Sequence, residues 1–174
     1  MKKLFLLLPA LWLSTALYAQ TNPIDDMFNK YSEKEGFTVV SISSKMLGMF
    51  AGHDENEKEA GEVINRLKSI KILSVEDSLL NRNLNFYTEL SRKLDLSVYE
   101  ELMLVKEGPN VTKFLIRQKG NVISELLVLT GGPGGNSLIS IKGDLDLKSI
   151  SDLSKNAGIQ ELKSLDELER KNKK

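Results

Sequence analysis

The sequence predicts an α+β fold: a two-layer sandwich with one largely antiparallel sheet of about six strands and helices packed on one face. Three observations carry that prediction. Near Val98 the spacing of apolar residues shortens from about 3.6 to 2, so helical patterning gives way to strands. The four strand-like segments that follow are joined by short turns, as in an antiparallel meander. The first half alternates helix-like and strand-like segments, with no low-complexity linker and no internal repeat.

Asn22 and Pro23 open the first helix. Asn caps free N–H groups, and Pro at the first helical position gives up an N–H that has no partner. Ile24, Met27, Phe28 and Tyr31 recur at helical spacing, and Gly36 is a stop. Residues 37–43 are rich in β-branched side chains and predict a strand. Residues 45–50 form a Met-rich apolar piece, either a helical turn or an extension of that strand, and 51–57 are loop-like. Ala60, Val63, Ile64 and Leu67 predict a second helix over 57–68, followed by a strand over 70–75.

Asp77 or Ser78 caps a third helix with the stripe Leu80, Leu84, Tyr87, Leu90 and Leu94. Strands are expected over 98–106, 111–118, 122–130 and 138–142. Gly108-Pro109-Asn110 and Lys119-Gly120-Asn121 supply the turn residues between them. Segments 98–105 and 122–129 are apolar at many positions on both faces, so either they lie near the centre of the sheet or its second face is covered by something else. Asp146 caps a last helix that faces inward through Leu147, Ile150 and Leu153 and ends at Gly158.

The chain ends carry their own signals. Met1-Lys2-Lys3 is a basic start, residues 4–17 are an apolar run, and Ala19-Gln20 is a small-residue exit. That layout is a secretory leader over 1–19, and its apolar stretch is shorter than the roughly 20 residues a membrane-spanning helix needs. The expected organisation is a signal peptide (1–19), one α+β domain (20–158) and an amphipathic to basic tail (159–174). Export places the protein in the periplasm, with the outer-membrane periphery or the exterior as alternatives. No stable membrane span is expected after the leader is removed.

Composition narrows the chemistry. The chain has 24 basic and 24 acidic residues, and loss of Lys2 and Lys3 leaves 22 against 24. Such a balance offers no basic field for nucleic acid. The absence of cysteine excludes disulfides, thiolate nucleophiles and thiolate metal sites.

Gly131-Gly132-Pro133-Gly134-Gly135-Asn136 lacks the Lys and the following helix of a phosphate loop, so it reads as a wide, flexible hairpin tip. His53 stands alone in an acidic loop, without the i, i+4 spacing of a helical zinc site or the glycine of a calcium loop. Among the acids, Glu100, Glu101, Glu125, Asp144 and Asp146 could serve a hydrolase that works with two carboxylates. Glu100 and Glu101 are strand neighbours that point to opposite faces, and Asp146 is already a cap. No catalytic, cofactor-binding or metal-binding residue is assigned.

Met46, Leu47, Met49 and Phe50 are the most adaptable apolar cluster. The simpler reading has them filling the core beneath the first strand. The alternative makes Met46, Met49 and Phe50, together with the loop residues Gly132, Pro133 and Gly134, an interaction surface.

The leader ending Ala19-Gln20, Phe28-x-x-Tyr31, Val40-Ser-Ile-Ser-Ser-Lys45-Met46 and Gly143-Asp144-Leu-Asp-Leu147 together resemble an exported bacterial family, domain of unknown function 4252. The resemblance covers most of the chain after the leader and carries over no catalytic residue. Some members are encoded beside extracytoplasmic-function sigma factors, which implies a role in envelope regulation. The expectation is therefore a non-enzymatic, periplasmic interaction module that binds another envelope protein and has no cofactor. Two alternatives are a carrier or sensor of a small apolar ligand, and an acid-pair hydrolase.

Overall fold

In a computed structural model, the described residues (22–50, 58–75, 77–146 and 148–150) form one open six-stranded sheet, antiparallel throughout. The strands are β1 (Phe37–Ser43), β2 (Leu67–Val75), β3 (Glu100–Glu107), β4 (Asn110–Lys119), β5 (Val122–Gly131) and β6 (Ser137–Leu145). Their order across the sheet is β1-β2-β6-β5-β4-β3. Among the described residues, α1 (Pro23–Tyr31), α2 (Ser44–Phe50), α3 (Lys58–Arg66), α4 (Ser78–Asn83) and α5 (Phe86–Ser91) accompany them, and residues 148–150 are helical as well. The expected leader, the expected loop around His53 and the expected end of the last helix and tail lie outside the described residues.

The architecture is α+β with a six-stranded antiparallel sheet, but helices lie against both faces rather than one. Ile24, Met27, Phe28, Phe86 and Leu90 pack with Leu73, Leu115, Leu127, Leu129 and Leu138 on the face covered by α1 and α5. Leu47 and Val63 pack with Phe114, Ile116, Leu126, Val128, Ile139 and Ile141 on the opposite face, beneath α2 and α3. The cause is visible in β5, where Leu126, Leu127, Val128 and Leu129 are all fully buried. Successive strand residues point to opposite faces, so a run of four needs cover on both.

Three other expectations change. Residues 98–105 are not central: Leu96–Val98 form a 3₁₀ turn and β3 is an edge. Four charged residues and a bulge at Leu102 suit it to that position. The single helix expected through Leu80 to Leu94 is two helices, because Leu84 and Asn85 are extended. Asn85 caps α5 by accepting from Thr88 N–H, and the Asn136 side chain seals the break by accepting from Phe86 N–H and donating to the Leu84 carbonyl. Finally, α1 ends at Tyr31, five residues before Gly36, whose positive φ turns the chain into β1.

The glycine-rich connection between β5 and β6 is tied down rather than loose. Asn110 Oδ1 accepts from Gly134 N–H at 2.8 Å. Asn136, buried, also donates to Gly132 O and to Asn81 Oδ1, each at 3.0 Å. Gly132 sits at φ 149°, where a Cβ would strike Asn110.

Candidate functional site

The face that carries α1 and α5 changes character along its strands. Leu73, Leu138 and Leu129 make one apolar row across β2, β6 and β5. Two residues further along each strand lie Lys71, Ser140 and Leu127, and beyond those Ser69, Lys142, Glu125 and Arg117. A bulge at Ser124 sets the register that puts Glu125 on this face while Ile123 joins the opposite core.

Glu125 is 0% exposed. Its Oε2 accepts from Arg117 at 2.5 Å and from the Tyr99 hydroxyl at 2.9 Å. Its Oε1 accepts from Ser140 Oγ at 2.8 Å, with Lys142 Nζ at 3.8 Å. The Arg117 guanidinium also lies over the Tyr99 ring, 5.4 Å from its centre. Burial pushes the Tyr99 phenol far up, and the Glu125 charge adds to the shift.

The network continues onto α1. Asp25 takes a 2.7 Å hydrogen bond from Lys71, which holds its carboxyl below the ordinary range despite partial burial, and Lys142 adds to the effect. Lys142 therefore faces both acids, and Lys71 lies over the Phe28 ring. Oε2 takes two hydrogen bonds and Oε1 takes one, all from protein donors. The arrangement holds four strands and α1 in register.

The other acids named from the sequence each engage a different partner. Glu100 accepts from Gln118, Glu101 pairs with Lys113, Asp144 with Lys68, and Asp146 with Arg66. Asp146 is a cap as expected, accepting from Ser149 N–H and Oγ at 2.7 Å each. Those bonds, with Arg66, pull its carboxyl down to about 2. Among the described residues no group of acids and histidine is placed to hold a metal ion.

A second ionic group ties α1 to α5. Glu89 takes hydrogen bonds from Lys30 at 2.6 Å and from the Tyr31 hydroxyl at 2.8 Å. Burial alone would raise the Glu89 carboxyl; the two donors outweigh it and lower it. A shallow groove of about 380 Å³ beside it is lined by Asn83, Asn85, Thr88, Glu89, Arg92 and Lys93.

The six candidate surface residues fall into two groups. Met46 and Met49 are 46% and 63% exposed on α2, while Leu47 between them enters the core. The Phe50 side chain lies outside the described part of the structure. Gly132 is buried, and Pro133 and Gly134 are exposed. The loop sits beside Val75 and the start of β1, and α2 follows its end, so about 20 Å of strand separates them. They are two places rather than one surface. The network around Glu125 was not assembled from the sequence. Its one local signal is an acid at an inward position of an otherwise apolar strand; its partners come from three other segments.

No helix among the described residues is long and apolar enough to cross a membrane. Neither curated proteins nor solved structures gave a match to this chain. A protein-family model, described as Domain of unknown function (DUF4252), matches residues 31–153, from the end of α1 through all six strands to just past the last described residues. The chain belongs to that family.

Proposed function

We propose that this protein is an exported, non-enzymatic binding module that works in the periplasm through its surface, in contact with another protein of the envelope. One observation carries the reading. Of the eight large apolar side chains exposed among the described residues, four lie within eleven residues of sequence: Val39, Val40, Met46 and Met49. They occupy β1 and the helix that follows it. Apolar side chains gathered on one margin mark an interaction surface more than scattered ones do, and Met suits a surface that must adapt. The hydrogen bonds that Glu125 accepts from Arg117, Tyr99 and Ser140 support a structural role for this buried acid. Phe86, Phe114 and Leu126 fill the space between sheet and helices, which favours a surface reading over a carrier of apolar ligands.

The test is a photo-crosslinking residue in place of Met49, in protein expressed in its own cell envelope. A discrete protein adduct is expected, lost when the crosslinker is moved to the other end of the sheet at Pro133. Adducts that are equal at both positions overturn the reading. Export is checked by the mature N-terminus: Gln20 in the periplasmic fraction is expected, and intact Met1 in the cytosol overturns it.

A further inference from the structure

We propose that the partner of the β1 edge is a second copy of this chain, paired antiparallel strand to strand so that two six-stranded sheets become one of twelve. The proposal rests on the surface reading above: it gives the strand edge of β1 to a second copy and leaves the methionines of α2 to the envelope partner.

β1 is an edge strand, and its seven residues, Phe-Thr-Val-Val-Ser-Ile-Ser, include no charge and no proline. Val39 and Val40 are 36% and 38% exposed, one toward each face of the sheet. Natural sheets usually block such an edge with charges, proline or a bulge, because it is a template for another strand. The opposite edge has charges and a bulge; the β1 strand itself has no charge, no proline and no bulge.

The charge pattern selects the occupant. Antiparallel self-pairing centred on Val40 sets Val39 of each copy against Ser41 of the other. It brings the Glu35 end of each copy to the Lys45 end of its partner. Glu35 and Lys45 are both exposed, and neither has an ion-pair partner among the described residues. The two-fold arrangement therefore forms two reciprocal acid–base contacts from one interface, as a closed symmetric dimer requires. A seven-residue strand pair is small against the roughly 1,200–2,000 Å² of standard interfaces. The dimer should dissociate reversibly on dilution.

Sedimentation velocity on protein purified from the compartment where it accumulates is the first measurement. A monomer–dimer equilibrium supports the proposal; a monomer at every concentration, or an open-ended series of larger species, overturns it. Charge variants then test the register. Glu35→Lys alone and Lys45→Glu alone should each weaken the dimer about tenfold, since like charges then face each other twice. The double variant should recover it, and an equimolar mixture of the two single variants should form a mixed dimer. Fold loss cannot imitate that rescue. Singles that dimerise as the parent does, or a double variant that stays monomeric, overturn the register. A monomer that still gives the Met49 adduct sinks the second copy while leaving the surface reading standing.

Discussion

The two margins of the sheet are held by different forces. At the β1 margin, rings do the work: Tyr31 stacks on Phe37 with centres 4.6 Å apart, and Phe86 lies 5.1 Å from Tyr31. At the β3 margin, polar pairs do it: Glu101 with Lys113, Glu100 with Gln118, and Tyr99 and Arg117 on Glu125. The choice of force decides what each edge presents to its surroundings. Rings grip from one face and leave the strand itself uncharged. Ionic pairs put charges on and around the strand, and those charges discourage another strand from adding.

Breaking the ring-held margin should have the largest effect. Phe86→Ala is expected to cost about 3–5 kcal/mol in denaturant unfolding, because Phe86 is fully buried against Tyr31 and Phe37. That loss should be nearly the same at low and high salt, since no charge is involved.

Breaking the charge-held margin should cost somewhat less and behave differently. Arg117→Met is expected to cost about 3 kcal/mol, because it leaves the fully buried Glu125 without its closest cation. Adding Glu125→Leu to that variant should restore most of the stability, because an apolar pair of similar size removes the buried charge altogether. A double variant as unstable as Arg117→Met alone would show that the network's hydrogen bonds, rather than its charge balance, matter.

A third experiment sharpens the contrast between the edges themselves. Replacing Glu101 and Lys106 by Val clears the inner part of β3 of charge and leaves Glu100 and Glu107 at its ends, and light scattering should then show new higher-order association. Unchanged scattering would assign the protection to the Leu102 bulge instead.

The smallest expected effect concerns pH. The Asp146 carboxyl sits at about 2 when folded, against an ordinary value near 4, chiefly through the bonds from Ser149. A depressed folded value means its stabilisation is present above about pH 4 and fades as pH falls toward 2. Asp146 is half exposed, so solvent screening limits the contribution to about 1 kcal/mol, typical of a cap. Asp146→Ala should therefore destabilise at neutral pH, and the difference should shrink to a fraction of that near pH 2, where about half of the Asp146 carboxyls are protonated. The Phe86→Ala penalty should persist at both.

The helices and strands were largely legible because each rests on local chemistry. Asn22 accepts from Ile24 N–H, Asp77 from Leu79 and Leu80 N–H, and Asp146 from Ser149 N–H, as their positions before apolar periods imply. β1 has the bounds its β-branched run predicts. The break at Leu84 was not legible, because Asn136, fifty residues from Phe86, holds it open.

By itself the sequence determined most element types and the antiparallel meander, since these follow from neighbours a few residues apart. Only the tertiary structure decided that helices cover both faces, that 98–105 lies at an edge, and that Glu125 gathers Tyr99, Arg117, Ser140 and Lys142 around it. Those outcomes depend on strand order, and strand order is set by how the whole chain buries the apolar residues of β5 and β6. No single segment records that.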